Sequence, residues 1–535
     1  MYTRQFNTTG LCMPEQDYMA DISDRVEAVK EMVDLGQYFT INRPRQFGKT
    51  TLLEALARRI SGEYICASIS FEGLGDESFE NTAAFCQALT DKISADLRRS
   101  PAGYETAYAK SWMDSSVITF NLLDKHVSKM CRGKKVVLLI DEVDKTSDNR
   151  VFLHFLGLLR DKFLNRKKGL DDTFQSVILA GVYDIRNLKL KLINEGVYKP
   201  SGQEGRLLNS PWNIAADFLV DMSFHPRDIA GMLSEYEADH ATGMDIASVS
   251  ELIYEYTGGY PFLVSKICQM LDRDKSLTRD WSPRGVHRAV KALVRQSGSL
   301  FGQNNTLFDD ISKNLENYPN LYSFIYDILI LGKRKNYTGT VPTIQMAAMF
   351  GFIKNIDGFA VISNRIFEII MADYFIAKDD ENRSHAHITG YHGDIITGGR
   401  FDMELCLSKF ADLFREIFTE KDKPFIEEHG RMLFLTYLKP LINGGGFYHI
   451  ESRLTDQRRM DLVVDFGLDQ FIIELKLWYG ETAHEKAYEQ LAGYLKSKRM
   501  AEGYLLTFDF RKDRNRAPRA GWVEWDGVRI FDVVV

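Results

Sequence analysis

At 535 residues, with 45% apolar and 26% charged side chains, the chain is too long for one hydrophobic core and reads as roughly three or four globular units. No apolar run is long enough to span a bilayer, and the N-terminal Met-Tyr-Thr-Arg-Gln-Phe-Asn lacks a signal peptide's apolar stretch, so a cytoplasmic protein without a membrane partner is expected. The net charge of -7 argues against indiscriminate coating of nucleic acid, and six scattered cysteines with no C-x-x-C pair argue against a zinc module.

In chain order, Val26, Val29, Met32 and Val33 fall at helical spacing between Asp24 and Leu35, and Gly36 ends the run. Tyr38–Ile41 reads as a strand, 42–49 as a loop and Thr50–Ile60 as a helix, the order a phosphate-binding loop requires. Buried strands are predicted at Ile65–Phe71, Lys135–Ile140 and Ser176–Gly181. Their alternation with helices indicates a parallel sheet covered on both faces.

In such a loop, backbone N–H groups and a helix N-terminus face the phosphates. Lys49 is placed to reach the outer phosphates and the Thr50 hydroxyl to hold Mg²⁺, with Gly48 and Thr51 beside them. The usual first glycine is replaced by Arg43, so Arg43 and Arg45 add positive charge near the anion. The apolar strand ending in Asp141-Glu142 supplies two carboxylates at a sheet edge. Asp141 would hold the Mg²⁺ hydration shell and Glu142 would orient or deprotonate the attacking water, whereas Asp144 and Lys145 read as surface residues.

Beyond residue 225, helical runs at 227–238, 246–257 and 262–273 suggest a lid. Short helices from 305 precede two strands, 351–355 and 358–362, about a turn at Ile356-Asp357. That pattern fits a winged helix, which binds DNA in some proteins and acts as a spacer in others. Lys378-Asp-Asp-Glu-Asn-Arg-Ser-His reads as a polar linker. Three basic runs, Arg166–Lys168, Lys333–Lys335 and Arg511–Arg519, are either nucleic-acid contacts or solvated surface.

Near the C-terminus, Arg459-Met460-Asp461-Leu-Val-Val-Asp465 and Phe471-Ile-Ile-Glu474-Leu475-Lys476 look like a metal-dependent nuclease centre. Residues two apart on a strand share a face, so Glu474 and Lys476 point the same way. A carboxylate and an amine on a strand of Ile472, Ile473, Leu475 and Leu477 need partners or a metal. Asp461 and Glu474, with the Leu475 carbonyl, are suited to Mg²⁺ or Mn²⁺. Lys476 would position water or stabilise charge developing on a phosphate.

Four stretches carry a resemblance: Gly10–Pro14 with Tyr18–Asp21, Phe39–Leu53, Leu179–Arg186, and Ser210–Ala215. They resemble the bacterial AAA-ATPase-like family that carries a C-terminal PD-(D/E)XK nuclease-like domain, along nearly the whole chain. The resemblance implies an α/β P-loop ATPase at 1–225, a helical lid at 226–300, a winged-helix-like domain at 301–377, a linker at 378–400 and a restriction-endonuclease-like domain at 401–535. Similarity to the STAND group of signal-transducing ATPases would set Gly258-Gly259-Tyr260-Pro261 over the adenine; those residues also read simply as a turn between helices. Arg186 and Arg206 are candidates for a trans-acting arginine. Glu428 or Glu427 would complete the metal site from the preceding helix, and Gln490 with Tyr494 matches the family's Gln-x-x-x-Tyr placement. The expected activity is ATP-controlled, Mg²⁺-dependent cleavage of nucleic acid, DNA above all, in defence against foreign DNA and with a homo-oligomer as one possible assembly. The alternatives are an ATP-operated sensor or scaffold that binds nucleic acid without cutting it, and an ATPase acting on proteins.

Overall fold

The computed structural model describes residues 4–100, 102–146, 150–182, 212–273, 279–297, 306–382, 394–417, 423–442, 446–452, 460–467, 469–509 and 519–535. For Lys145, Glu427, Glu428 and Asp461 the backbone alone is described. Contacts divide the chain into two compact units. One is Met1–Tyr254 with Gly258–Val286 and Met349–Gly351; the other is Glu255–Thr257 with His287–Ala348 and Phe352–Val535.

In the first unit, β1 (Tyr38–Asn42), β2 (Ile65–Ser70), β3 (Val136–Asp141) and β4 (Ser176–Gly181) form a parallel sheet in the order β1-β4-β3-β2. Its helices are α1 (Ser23–Asp34), α2 (Lys49–Ile60), α3 (Thr82–Arg99), α4 (Thr106–Ser111), α5 (Phe120–Cys131) and α6 (Arg150–Lys167). Because side chains alternate along each strand, Phe39, Ile41, Val137, Leu139 and Ile178 meet α1 and α2 on one face. Tyr38, Ile69, Leu138, Ile140 and Leu179 meet α3, α5 and α6 on the other. Both faces are dry, which accounts for the unbroken apolar runs of β3 and β4. Asn81 and Thr119 cap α3 and α5 by accepting from the backbone N–H groups of Ala84 and Leu122. α7 (Pro226–His240), α8 (Ile246–Thr257), α9 (Pro261–Arg273) and α10 (Pro283–Ser297) follow, and the boundary between units falls inside α8 and α10.

The second unit continues with α11 (Thr306–Asn317), α12 (Pro319–Leu329), α13 (Pro342–Met349), the hairpin β5 (Ile353–Ile356) and β6 (Phe359–Ile362), and α14 (Arg365–Asn382). The hairpin turns at Asp357 and Gly358, both with positive φ. α14 runs through Lys378–Asn382, so the polar segment read as a linker begins as helix. Polarity alone does not end a helix, and neither Gly nor Pro interrupts this one.

A two-stranded ribbon, β7 (Ile396–Thr397) with β8 (Arg400–Phe401), then leads into α15 (Met403–Ile417) and α16 (Lys423–Ile442), the latter broken at His429. The last sheet is mixed. It contains β9 (Gly446–Ser452), β10 (Met460–Phe466), β11 (Asp469–Leu477), β12 (Glu502–Phe508), β13 (Arg519–Trp525) and β14 (Val528–Val534) in the order β13-β14-β12-β11-β10-β9. α17 (Glu481–Ser497) covers one face through Tyr488, Leu491 and Leu495, packed on Val463, Ile472 and Leu505. Phe410 and Phe414 of α15 pack on Phe508 from the other face. Among the described residues no helix is long and apolar enough to cross a membrane.

Candidate active centres

The first centre sits where the C-terminal ends of β1, β3 and β4 meet the start of α2. The loop after β1 turns through Gln46 and Gly48, both with positive φ. Gly48 occupies the N-cap of α2 without a side-chain cap, leaving the first N–H groups of that helix aimed outward. Lys49 is 7% exposed, and its ammonium donates to the carbonyls of Arg43 (3.0 Å) and Pro44 (2.8 Å). Burial holds its pKa below the ordinary lysine value, opposed by the charges of Asp144, Asp141 and Glu142. An arriving phosphate would supply the countercharge that those carbonyls replace only in part.

Across the loop, the Thr50 hydroxyl donates to Asp141 Oδ2 at 2.7 Å, while Asp141 Oδ1 accepts from the Glu142 N–H at 2.9 Å. Two hard oxygens therefore adjoin at the sheet edge, a donor set that fits Mg²⁺. Glu142 takes a left-handed φ of 56°, the strained turn that brings its carboxyl into the cavity; burial first, then Asp141, pushes its pKa up. Arg45 lines the cavity. Arg43 turns elsewhere: its guanidinium donates to the carbonyls of Asn42 and Val220 and lies 5.1 Å from the Phe218 ring centre. The Thr51 hydroxyl accepts from the Cys12 N–H at 3.2 Å, tying the N-terminal segment to the loop.

Arg45, Gly48, Lys49, Thr50, Thr51 and Glu142 line a cavity of about 490 Å³, the size of a small-ligand site. Pro261, at the start of α9, lines it, and Gly259 explains the preceding turn. Its φ is positive, and a Cβ there would meet the Phe224 carbonyl at 2.1 Å. The turn and the cavity wall are thus one structure. Tyr260 donates its hydroxyl to the Arg45 carbonyl and packs edge-on against Phe47, bracing the loop from that side.

Sequence reasoning missed two contributors to this cavity and misplaced Asp144 beside it. Glu72, just past β2, lines it; an acidic residue immediately after a parallel strand is the signal that points to it. Residues 7–10 form another wall, with Asp17 organising that loop by accepting from Asn7 and the Met13 N–H. Asp144, read as surface, is half-buried and accepts from the Val182 N–H; a Cβ on Gly181 would stand 2.7 Å from its Oδ1. Arg186 and Arg206 lie outside the described residues.

The second centre is written in strand register. β10 and β11 pair antiparallel with Leu462 opposite Ile473, which carries position 461 opposite position 474. Glu474 is 2% exposed, and Lys476 Nζ lies 2.9 Å from its Oε1. Ile472 and Ile473 are buried as expected, whereas Leu475 and Leu477 are half-buried because β11 emerges from the core there. Among the described side chains no three His, Cys, Asp or Glu converge on one point. The buried Glu474 carboxylate and the adjacent Leu475 carbonyl are hard oxygens of the kind Mg²⁺ or Mn²⁺ takes.

Residues 15–280 match the family model of the AAA-like domain, and residues 447–519 match that of the PD-(D/E)XK nuclease superfamily. The chain joins an AAA-like domain to a PD-(D/E)XK nuclease-superfamily domain. No curated protein matches the sequence. Similar solved structures include a Walker-type ATPase of Pyrococcus abyssi, at 12% identity and TM-score 0.45, covering 68% of this chain and 99% of that one. The ORC2 protein of Aeropyrum pernix gives 10% identity and TM-score 0.33 over 70% and 98%. The ORC1 protein of the same organism, solved with DNA, gives 12% and 0.30 over 67% and 94%.

Within the nuclease-superfamily domain, Gln490 is half-buried on α17, while Tyr494, one turn later, is buried against the sheet. Glu427 and Glu428 fall on α16, ahead of its break at His429. A polar cluster also lies on the sheet face that carries Glu474, since Glu474 pairs with Leu505 and Leu505 with Asp532. Asp532 Oδ2 accepts from the Tyr488 hydroxyl at 2.7 Å and lies 3.0 Å from His484 Nε2, all three groups being buried. Burial and then Asp532 push the Tyr488 pKa up. This cluster pins α17, and with it Gln490, over the face that holds Glu474.

Proposed function

We propose that this chain is a nuclease controlled by ATP, hydrolysing DNA phosphodiester bonds with a divalent metal and acting in the cytoplasm in defence against foreign DNA. The observation that carries the nuclease reading is Glu474, almost wholly buried, paired with Lys476 and set by register across from Asp461. A carboxylate is costly to bury, and a metal-dependent phosphodiester cutter gives that cost a purpose. When bound, Mg²⁺ or Mn²⁺ would polarise the scissile phosphate and acidify a water. Asp461, Glu474 and the Leu475 carbonyl would hold it, while Lys476 would leave Glu474 to orient that water or meet the developing negative charge.

In the AAA-like domain, Lys49 would exchange the Arg43 and Pro44 carbonyls for the outer phosphates of ATP. Thr50 and Asp141 would hold Mg²⁺, Glu142 would orient or deprotonate the attacking water, and Arg45 would add charge at the cavity mouth. The helices α11–α13 followed by the β5–β6 hairpin support a winged-helix-like reading of the segment that follows the AAA-like domain in sequence.

The test is cleavage of plasmid, single-stranded DNA and RNA with Mg²⁺ or Mn²⁺, with and without ATP, beside Asp461→Ala and Lys49→Ala proteins. Loss of cutting in the first, and loss only of ATP control in the second, is the expected result. Intact ATP hydrolysis with no cutting of any substrate would replace the nuclease by an ATP-operated sensor or scaffold.

A further inference from the structure

Of the basic runs in the sequence, Arg166 is committed to the carbonyls of Phe174, Gln175 and Gly36, and Lys333 and Lys335 both bind Asp327. Residues 511–518 of the third run lie outside the described residues. A surface of the opposite sign is open in the first unit.

There α1 and the chain that runs on from Ala216 form the two walls of a groove of about 540 Å³. On the helix, Asp24, Ala28 and Glu31 recur at i, i+4 and i+7, and Leu35, the C-cap residue, continues them at i+11. That spacing keeps the four within an arc of about 60° and along about 16 Å. The other wall begins beside β1, where the Ala216 N–H donates to the Tyr38 carbonyl. Its side chains alternate: Phe218 and Met222 are buried in the core, while Asp217, Leu219 and Asp221 face outward. Each wall therefore presents one leucine in the company of carboxylates. Arg25 fastens the walls together, donating from α1 to the carbonyls of Asp221 (2.9 Å) and Ser223 (2.7 Å) and to Asp228 Oδ2 (2.6 Å), so the groove is formed before anything enters it.

Leu35 is 74% and Leu219 87% exposed, among the most exposed large apolar side chains of the described residues. Two leucines facing one groove differ from the scattered single exposures that any surface carries. Six carboxylates line the groove against two guanidiniums, and both guanidiniums, of Arg25 and Arg227, lie on Asp228. Asp24 and Glu31 make no ion pair among the described residues.

We infer that this groove docks a segment of a partner protein that carries leucine-like side chains flanked by lysine or arginine. Its sign excludes nucleic acid and anionic membrane, whose phosphates the rim would repel. An apolar partner without charge would cover the leucines but strip water from the carboxylates with nothing in return. A basic, apolar segment satisfies both, each leucine gaining burial and each acid a countercharge. The inference goes beyond the nucleotide and metal chemistry, since none of the groove's acids belongs to either centre.

The experiment is fluorescence anisotropy of labelled peptides, each with two leucines set two, three or four residues apart among lysines, titrated with the full chain. Leu35→Ser/Leu219→Ser should weaken the best-bound peptide by at least about tenfold. Asp24→Asn/Glu31→Gln should weaken it at about 50 mM NaCl but not at about 1 M, where screening acts within a few ångströms. Met113→Ser/Leu122→Ser removes apolar side chains exposed outside the groove and should change nothing. Failure of every peptide to bind the wild-type chain, binding untouched by the leucine variant, or an equal loss in the control variant would each overturn the inference. So would equal binding of a peptide with serine in place of both leucines, which would mark attraction by charge alone. A wild-type dimer that Leu35→Ser/Leu219→Ser dissociates in sedimentation would overturn it as well, by giving the groove to a second copy of this chain.

Discussion

Lys49 and Lys476 each sit at the heart of a proposed phosphate-handling centre, yet the protein buries opposite members of the two charge sets. In the AAA-like domain the cation is buried and borrows two backbone carbonyls, with its acidic neighbours half-exposed or turned to Thr50. In the nuclease-superfamily domain the carboxylate is buried and the lysine, at 24% side-chain exposure, reaches in from the edge. A loop can wrap a cation in its own carbonyls; a strand has its carbonyls committed to the ladder and must neutralise a buried acid with a side chain or a metal.

The largest effects that probe this contrast are on activity. Glu474→Gln keeps the shape but removes the charge that metal and lysine share, and we expect cleavage to fall by at least about a hundredfold with ATP hydrolysis intact. Lys49→Ala should abolish ATP hydrolysis and leave ATP-independent cleavage within about threefold of wild type. If either substitution silenced both activities in folded protein, the two centres would not be separable in this way.

Stability should then respond to the two lysines with opposite logic. Lys476→Met strands Glu474 in the core and should cost about 2–3 kcal/mol, below the range for a fully enclosed pair because Lys476 keeps contact with water. Millimolar Mg²⁺ or Mn²⁺ should return part of that loss in a thermal melt, since a ligand of the native state raises its stability. Lys49→Met removes a buried charge along with two hydrogen bonds, so stability should stay within about 1 kcal/mol of wild type. The Lys49 pKa is depressed in the fold, so its burial cost is present at neutral pH and fades as pH rises toward the ordinary lysine value.

How each centre is built also decides how much of it could be read from sequence. The phosphate loop and the Asp141-Glu142 strand end are contiguous, and Glu474-Leu475-Lys476 follows the two-residue strand period, so residue order displays them. Glu72 carries the weaker signal of an acid after a strand, whereas the 7–10 wall and the Asp532 cluster come together only through packing. Asp532 reaches the Glu474 face by strand pairing across β12, which no local pattern records. The β13–β14 hairpin was passed over in the sequence although it carries a signal, since Asp526-Gly527 between Trp525 and Val528 is a two-residue turn, and both residues take positive φ.

A smaller effect concerns Gly181, whose Cβ would press on Asp144 and Val143 at the end of β4. Gly181→Ala should destabilise the protein by about 1–3 kcal/mol in a denaturant titration. It should also weaken ATP binding, because Asp144 and Val143 follow directly on Asp141 and Glu142. A fully active, fully stable variant would show that this strand end yields freely and does not fix the distance between the phosphate loop and Asp141.

The smallest expected effect tests whether Lys476 is what makes a buried acid tolerable, by looking at a half-buried one that lacks such a partner. Asp96, on α3, accepts from the Ser68 N–H at 2.8 Å, and burial pushes its pKa up to about 6 despite that bond and the charge of Arg99. A carboxyl whose folded pKa lies above its unfolded value near 3.8 contributes stability that is fully present below about pH 4 and lost as pH rises through about 6. Asp96→Asn keeps an oxygen for the Ser68 N–H and removes the titration. Denaturant midpoints of variant and wild type should therefore coincide near pH 4 and separate in favour of the variant above pH 6. Equal midpoints at both pH values would mean that water or Arg99 already neutralises Asp96, and that a half-buried carboxylate in this protein does not need a lysine such as Lys476 beside it.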